Sequence, residues 1–151
     1  MTEQIETLVV VADGGGARAF EEPRRHGPLR ERVDWRMFPN PADRQLAYTH
    51  GGTASERMGS GRHNVLDAPP TEAAETHFLR EVAERLNRVA AADGFAHLVL
   101  IAPPKALGVL RKHLAPAALR RFELTDDHDR RAEDAETLRR SLHRLRIPDA
   151  L

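Results

Sequence analysis

The sequence contains no cysteine, which excludes disulfides, thiol catalysis and cysteine-bound zinc. It also lacks an excess of either charge, because 23 basic residues are matched by 23 acidic ones. A neutral chain has no general attraction for nucleic acid or membrane, so binding of that kind needs a local patch. Lysine is scarce and arginine is abundant. Arginine favours bidentate binding of phosphate or carboxylate, and the alternative explanation for its abundance is a bias in composition.

No apolar run approaches the roughly 20 residues that a membrane-spanning helix needs. The first four residues, Met1-Thr2-Glu3-Gln4, lack the basic and apolar parts of a signal peptide. We therefore expect a cytoplasmic protein with no membrane partner. The chain has 151 residues, of which 40% are hydrophobic and 30% charged, and this predicts one globular domain over residues 1–151.

Two continuous apolar runs, residues 8–12 and 98–102, predict strands that are covered on both faces. Asp13-Gly14-Gly15-Gly16 follows the first run and predicts a hairpin turn into a second strand at 17–21, since glycine accepts a positive φ without strain. A looser alternation predicts a third strand within 29–38, with Leu29, Val33, Trp35 and Met37 facing inward. Residues 122–124 predict a last, short strand.

Three helices are predicted from apolar spacing. Thr71 is a candidate N-cap for the first, which ends at Gly94. Its inner stripe is Phe78, Leu79, Val82, Ala83, Leu86, Val89 and Ala90. A second helix begins at Pro104 and is stopped by Pro116, and a third begins near Glu133.

The predicted order is β-β-β-α-β-α-β-α. The first turns are short enough only for antiparallel neighbours, whereas helices between the later strands permit parallel crossovers. The fold class is therefore α/β, with a mixed five-stranded sheet, helices on its faces and the element order of a ribonuclease H-like fold. No internal repeat or second domain is indicated.

Between the third strand and the first helix lies a long stretch, about 39–70, rich in proline, glycine, serine, aspartate and arginine. A connection of this length is usually functional or disordered. It carries Arg44, His50, Arg57, Arg62 and His63, and its glycines would let backbone N–H groups approach a phosphate. We predict a flexible loop that contacts RNA, the ribosome or a phosphorylated ligand, and the alternative is a solvated loop without a ligand.

Four stretches, taken in order, resemble the bacterial host-attachment protein family. They are the hairpin at 10–21, the segment Gly59-Ser60-Gly61-Arg62-His63, the strand-to-helix turn at 98–111 and the late strand with its acidic turn at 122–127. Together they cover most of the chain. The family name refers to a proposed role in attachment to host cells.

That family is similar in fold to the middle domain of archaeal and eukaryotic class-1 release factors. In those proteins a Gly-Gly-Gln loop between the third strand and the long helix reaches the ribosomal peptidyl-transferase centre. Here the corresponding stretch contains Gly51-Gly52-Thr53 and no Gly-Gly-Gln. The resemblance therefore implies a non-enzymatic module that binds RNA, the ribosome or another macromolecule, with Arg57, Arg62 and His63 on phosphates and Gly59 and Gly61 as flexible joints.

Two other functions stay open. Asp13 closes the first strand, and Asp126 and Asp127 follow the last, so a ribonuclease H-like sheet could use them to hold Mg²⁺ for phosphodiester hydrolysis. The alternative interpretation is that they are turn residues. A third hypothesis is a protein-interaction domain that acts indirectly in host association. The eight histidines show no metal-binding spacing, and no cofactor is expected. The sequence does not determine the oligomeric state.

Overall fold

The structure is a computed structural model that describes residues 4–40 and 71–147. Its five strands form one sheet in the order β3-β2-β1-β4-β5. The strands are β1 (Ile5–Asp13), β2 (Gly16–Glu22), β3 (Arg30–Glu31), β4 (Phe95–Ile101) and β5 (Phe122–Asp126). The helices are α1 (Glu72–Ala91), α2 (Pro104–His113), α3 (Pro116–Leu119) and α4 (Ala135–Arg146).

The strand directions make the sheet mixed. In the centre, β1 runs antiparallel to β2, with Val10 opposite Ala19, and parallel to β4, with Val10 beside Leu100. The edge strand β5 is parallel to β4, with Leu100 beside Thr125. This confirms the predicted α/β class and the ribonuclease H-like strand order.

Helices cover both faces of the sheet. Because successive side chains of a strand point to opposite faces, each central strand contributes to two separate cores. One core joins Leu8, Val10, Leu98 and Leu100 of the sheet to the buried side chains of α1, α2 and α3. The other joins Val9, Val11, Val99 and Ile101 to Leu138 and Leu142 of α4. Both apolar runs are therefore covered on both faces, as predicted. Within the described residues, none of the helices has the length and apolar character required to cross a bilayer.

The predicted N-cap of α1 is confirmed: the Thr71 hydroxyl accepts a hydrogen bond of 3.1 Å from the backbone N–H of Ala74. At the other end, Asp93 and not Gly94 takes the left-handed conformation, with φ at 58°. Gly94 is required for a different reason, since a Cβ at this position would collide with Val89. The last helix also has a side-chain cap, because Asp134 Oδ1 accepts a 2.8 Å hydrogen bond from Thr137 N–H.

The predicted third strand is wrong over most of its length. Only Arg30–Glu31 forms a strand beside β2, Met37 adds an isolated bridge to Ala17, and Val33–Trp35 forms a single 3-10 turn. Trp35 is buried as expected, but Val33 is 62% exposed because a 3-10 turn does not alternate its side chains as a strand does. Pro116 was expected only to stop a helix, and in the structure it also begins the short helix α3.

Candidate functional site

A pocket of about 440 Å³ opens where the parallel strands β1 and β4 end. We name it the carboxyl-edge pocket. Open α/β sheets bind ligands outside the carboxyl ends of their strands, and this pocket has that position. Its lining comes from the turn after β1, the first turns of α1 and α2, and the loop before α4: Asp13, Gly14, Gly15, Glu72, Glu75, Thr76, Leu79, Pro103, Lys105, Ala106, Val109, Asp129 and Arg131.

The glycine turn between β1 and β2 forms one wall of the pocket, and its glycines leave room for neighbouring side chains. A Cβ at Gly14 would overlap the carboxylate of Glu75. A Cβ at Gly16 would lie 2.7 Å from Nη1 of Arg131. None of the turn's glycines adopts the left-handed φ that the sequence argument invoked. Gly14 and Gly16 thus leave space that the flexible side chains of Glu75 and Arg131 occupy.

Asp13 is held by two groups at this turn. Its Oδ1 accepts a 2.8 Å hydrogen bond from the backbone N–H of Gly15 and lies 2.8 Å from Nε of Arg131. The Arg131 N–H is not aligned with that oxygen, so this contact is an ion pair and not a hydrogen bond. The negative charge of Asp13 is thus already compensated within the fold.

The remaining charges leave the pocket acidic. Lys105 pairs with Glu72 at 3.0 Å, and both side chains are exposed. Glu75 is half-buried, and its carboxylate makes no hydrogen bond or ion pair with any described residue. Counting Asp13 and Asp129 as well, four carboxylates face two cations, Lys105 and Arg131.

Asp126, at the end of β5, is also neutralised by its neighbours. Its carboxylate accepts a 2.8 Å hydrogen bond from Arg130 Nε and, when His128 Nδ1 carries a proton, a 2.9 Å hydrogen bond from that nitrogen. Burial alone would raise the pKa of Asp126, but the bonds from Arg130 and His128 hold it below its ordinary value. The same arginine contacts Glu133 at 3.0 Å, which ties the start of α4 to the sheet edge.

The structure separates the carboxylates of the predicted magnesium site. Asp13 ends β1 and Asp126 ends β5, and β4 lies between the two strands. Ligand atoms of Asp126, Asp127 and His128 lie within 4.8 Å of one another, and Asp13 is not part of that group. Sequence reasoning missed the partners Arg130 and Arg131. These two adjacent arginines follow the acidic run in the sequence. Their ion pairs with Asp126 and Asp13 depend on the tertiary fold and cannot be read from the sequence.

The predicted binding residues Arg57, Gly59, Gly61, Arg62 and His63 lie outside the described part of the chain. The residues that flank this segment are described, and both sides contact the glycine turn.

On one side, Met37 exchanges two backbone hydrogen bonds with Ala17, at 2.9 and 3.0 Å. On the other, Thr71 caps α1, and the first turn of α1 places Glu75 over Gly14. The chain therefore leaves and re-enters the described fold beside the carboxyl-edge pocket.

A second concave surface, of about 560 Å³, lies at the opposite edge of the sheet. Arg30 and Arg32 both pair there with Glu21, at 2.7 and 3.0 Å. The guanidinium of Arg85 stacks 4.2 Å from the ring centre of Trp35. Trp35 is buried, and the guanidinium of Arg85 covers its ring. The ring is therefore not available to stack on a nucleic-acid base.

The family model described as "Protein required for attachment to host cells" matches residues 8–142, a range that includes the carboxyl-edge pocket and the segment 41–70. No curated protein matches the chain significantly.

Proposed function

The chain belongs to the family of proteins required for attachment to host cells, and from this premise we propose that it is a non-enzymatic domain that binds RNA. The observation that carries the proposal is that Met37, bonded to Ala17, and Glu75, packed over Gly14, lie on either side of the glycine turn. The described residues on both sides of 41–70 thus lie near the edge of the sheet where α/β folds bind ligands. A long connection with its ends fixed at such an edge is a common form of binding loop.

The segment 41–70 holds three arginines and three acidic residues, and the proposed phosphate contact is limited to the stretch 57–66 within it. Residues 57–66 contain Arg57, Arg62 and His63 and no acidic residue. Gly59 and Gly61 permit close approach of backbone N–H groups to a phosphate. Phosphates are not expected inside the carboxyl-edge pocket itself, because its carboxylates outnumber its cations. The proposal therefore assigns contact with the RNA backbone to the segment, and it includes the case in which the RNA is part of the ribosome.

The state of the acidic residues favours binding over catalysis. A carboxylate that holds Mg²⁺ or acts as a base has to be available to the ion or the proton. Asp13 is paired with Arg131, and Asp126 is bonded to Arg130 and His128. Phosphodiester hydrolysis by Asp13 with Asp126 or Asp127 is kept only as an alternative outcome of the test below.

The proposal is tested by titrating fluorescently labelled single-stranded RNA with the full chain at several salt concentrations, and by co-sedimentation with ribosomes. Replacing Arg57 and Arg62 together by Ala should weaken binding and reduce the slope of log K against log[salt] by about 1.4. The matched control replaces Arg88 and Arg120 by Ala, since both are exposed at the opposite edge of the sheet and the charge change is the same.

Three results would contradict RNA binding by this segment. The first is equal affinity in both double variants. The second is capture of one protein partner that resists nuclease, which would support a protein-interaction domain. The third is Mg²⁺-dependent cleavage of the RNA that Asp126→Asn abolishes, which would support a phosphodiesterase.

A further inference from the structure

Two histidines from distant parts of the sequence meet on the surface opposite α1. His26 lies in the turn between β2 and β3, and His143 lies on α4. Their Nδ1 atoms are 3.4 Å apart, and the rings stand edge to face, with centroids 5.2 Å apart and planes at 86°. Two potential metal-ligand atoms therefore lie close together.

The separation of these nitrogens fits a shared metal ion, and in the absence of an ion it fits a long hydrogen bond between the two rings. Zinc binds histidine nitrogen at about 2.0–2.1 Å in tetrahedral geometry, which places two such nitrogens about 3.4 Å apart. A hydrogen bond from nitrogen usually spans about 2.7–3.2 Å, so 3.4 Å is long for one. The rings thus already hold the spacing of two imidazoles on one ion.

The backbone presents His26 in an unusual conformation. Its φ is 66°, in the left-handed region that costs most residues energy and that is often found at functional sites. The turn is closed by a 2.8 Å hydrogen bond from Gly27 N–H to Arg24 O. The exposed imidazole of His26 lies beside that of His143 on α4.

One buried carboxylate joins the turn that carries His26 to the helix that carries His143. Glu22 Oε2 accepts hydrogen bonds from the backbone N–H of His26, at 3.0 Å, and from Nη1 of Arg146, at 2.7 Å. Arg146 ends the helix that carries His143. The turn and the helix are therefore joined through Glu22 independently of the rings, which keeps the backbones that carry the two imidazoles close together.

We propose that His26 and His143 bind a divalent transition-metal ion of the zinc, nickel or copper class. Imidazole is a preferred ligand for these metals. Both rings are exposed, so water supplies the remaining ligands of the ion. The nearby carboxylates Glu22 and Glu123 already share Arg146, and the second also pairs with Arg25, which leaves the histidines as the available donors. A bound ion joins the β2–β3 turn to α4 and is independent of the proposed RNA binding.

A second group of ligand atoms provides a rival position. Asp126, Asp127 and His128 lie within 4.8 Å of one another, but Arg130 already bonds to Asp126. A cation there would have to share the buried carboxylate with a guanidinium. His128→Asn therefore separates the two positions experimentally.

The experiment uses the full chain without a histidine tag and adds Zn²⁺ or Ni²⁺, with calorimetric titration and the thermal unfolding midpoint as readouts. We expect saturable binding that raises the midpoint, and a loss of affinity of at least about tenfold in His26→Asn and in His143→Gln, since each removes one of two protein ligands. Asparagine tolerates the left-handed φ and glutamine suits a helix, so both variants retain the fold. His97→Gln and His128→Asn are the controls and should bind as the wild type does.

Wild-type affinity in His26→Asn or His143→Gln would overturn the proposal. So would loss of binding in His128→Asn, or the absence of any metal-dependent shift in the wild type. None of these outcomes depends on whether the protein binds RNA.

Discussion

Arg146 and Glu22 form a two-pronged ion pair in which both hydrogen bonds measure 2.7 Å. The side chains are only 4% and 1% exposed. Arg146 also contacts both oxygens of Glu123, at 2.8 and 3.0 Å. Burial would lower the pKa of Arg146, but the bonds to Glu22 and Glu123 raise it above its ordinary value. The guanidinium of Arg146 therefore attaches the end of α4 to β2 and to β5, and it keeps its positive charge throughout the pH range in which proteins are folded.

Removing this arginine should strongly destabilise the fold. In Arg146→Met the carboxylate of Glu22 would be buried without a counterion, and we expect a loss of about 3–5 kcal/mol in the free energy of unfolding. Urea denaturation measures it. Arg139→Met is the control, because Arg139 forms only an exposed pair with Glu136 and should change stability little. A loss below about 1 kcal/mol in Arg146→Met would show that the buried pair contributes no more than a surface pair.

Glu31 makes stability depend on pH in the acidic range. Hydrogen bonds from Arg36 and Arg18 lower the pKa of Glu31 from 4.5 to about 2. A carboxylate with a depressed folded-state pKa stabilises the protein fully above its unfolded value, and the contribution is lost as pH falls through the folded value. Stability should thus decline between about pH 4.5 and 2, and Glu31→Gln should make that decline shallower.

Urea denaturation across this range measures the effect of Glu31. Glu84→Gln, at an exposed position on α1, is the control and should leave the slope unchanged. An equal slope in Glu31→Gln and in the wild type would contradict the assignment.

The contact between Gly14 and Glu75 should appear as coupling between mutations. Gly14→Ala forces the carboxylate of Glu75 to move, and the penalty should shrink when Glu75 is already Ala. A double-mutant cycle measures the coupling, expected within about 0.5–3 kcal/mol for residues in contact. Gly108→Ala is the control, since nothing lies within 4 Å of its added Cβ. On α2 it should stabilise by about 0.5–1 kcal/mol. Additive effects of Gly14→Ala and Glu75→Ala would rule out the contact.

Trp35 is the only tryptophan, so its fluorescence reports on the turn before the segment 41–70. In Arg85→Ala the guanidinium no longer covers the ring, and we expect emission at longer wavelength and a loss of about 0.5–1 kcal/mol. Arg88→Ala, one turn along α1 and exposed, should change neither. Unaltered emission in Arg85→Ala would mean that the stacking does not shield the ring in solution.

The central sheet and α1 could be predicted because their signals are local. The apolar run at 8–12 is long enough to specify a strand covered on both faces, and Thr71 immediately precedes the helix that it caps. The third strand could not be judged in this way. Its apolar spacing fits a strand, but Trp35 is covered by Arg85 from α1, far along the chain, and the backbone forms a 3-10 turn there.

The candidate site was predictable only in its acidic half. Asp13 and Asp126 are recognisable as carboxylates at strand ends, but the arginines that neutralise them are brought there by the loop before α4. The sequence does not indicate which of its distant, oppositely charged residues form ion pairs. The spacing of His26 and His143 was likewise invisible, since it depends on how α4 packs across the sheet.

The position of β1 in the sheet has a consequence for synthesis on the ribosome. Its antiparallel neighbour β2 follows at once, but its parallel neighbour β4 is made much later, and Ile5 pairs with Phe95. Until β4 emerges, the nascent hairpin presents an open, strongly apolar strand edge of the kind that associates with other chains. A chain truncated before Ile101 would therefore be expected to aggregate or to require chaperone protection, even though its first strand pair is already complete.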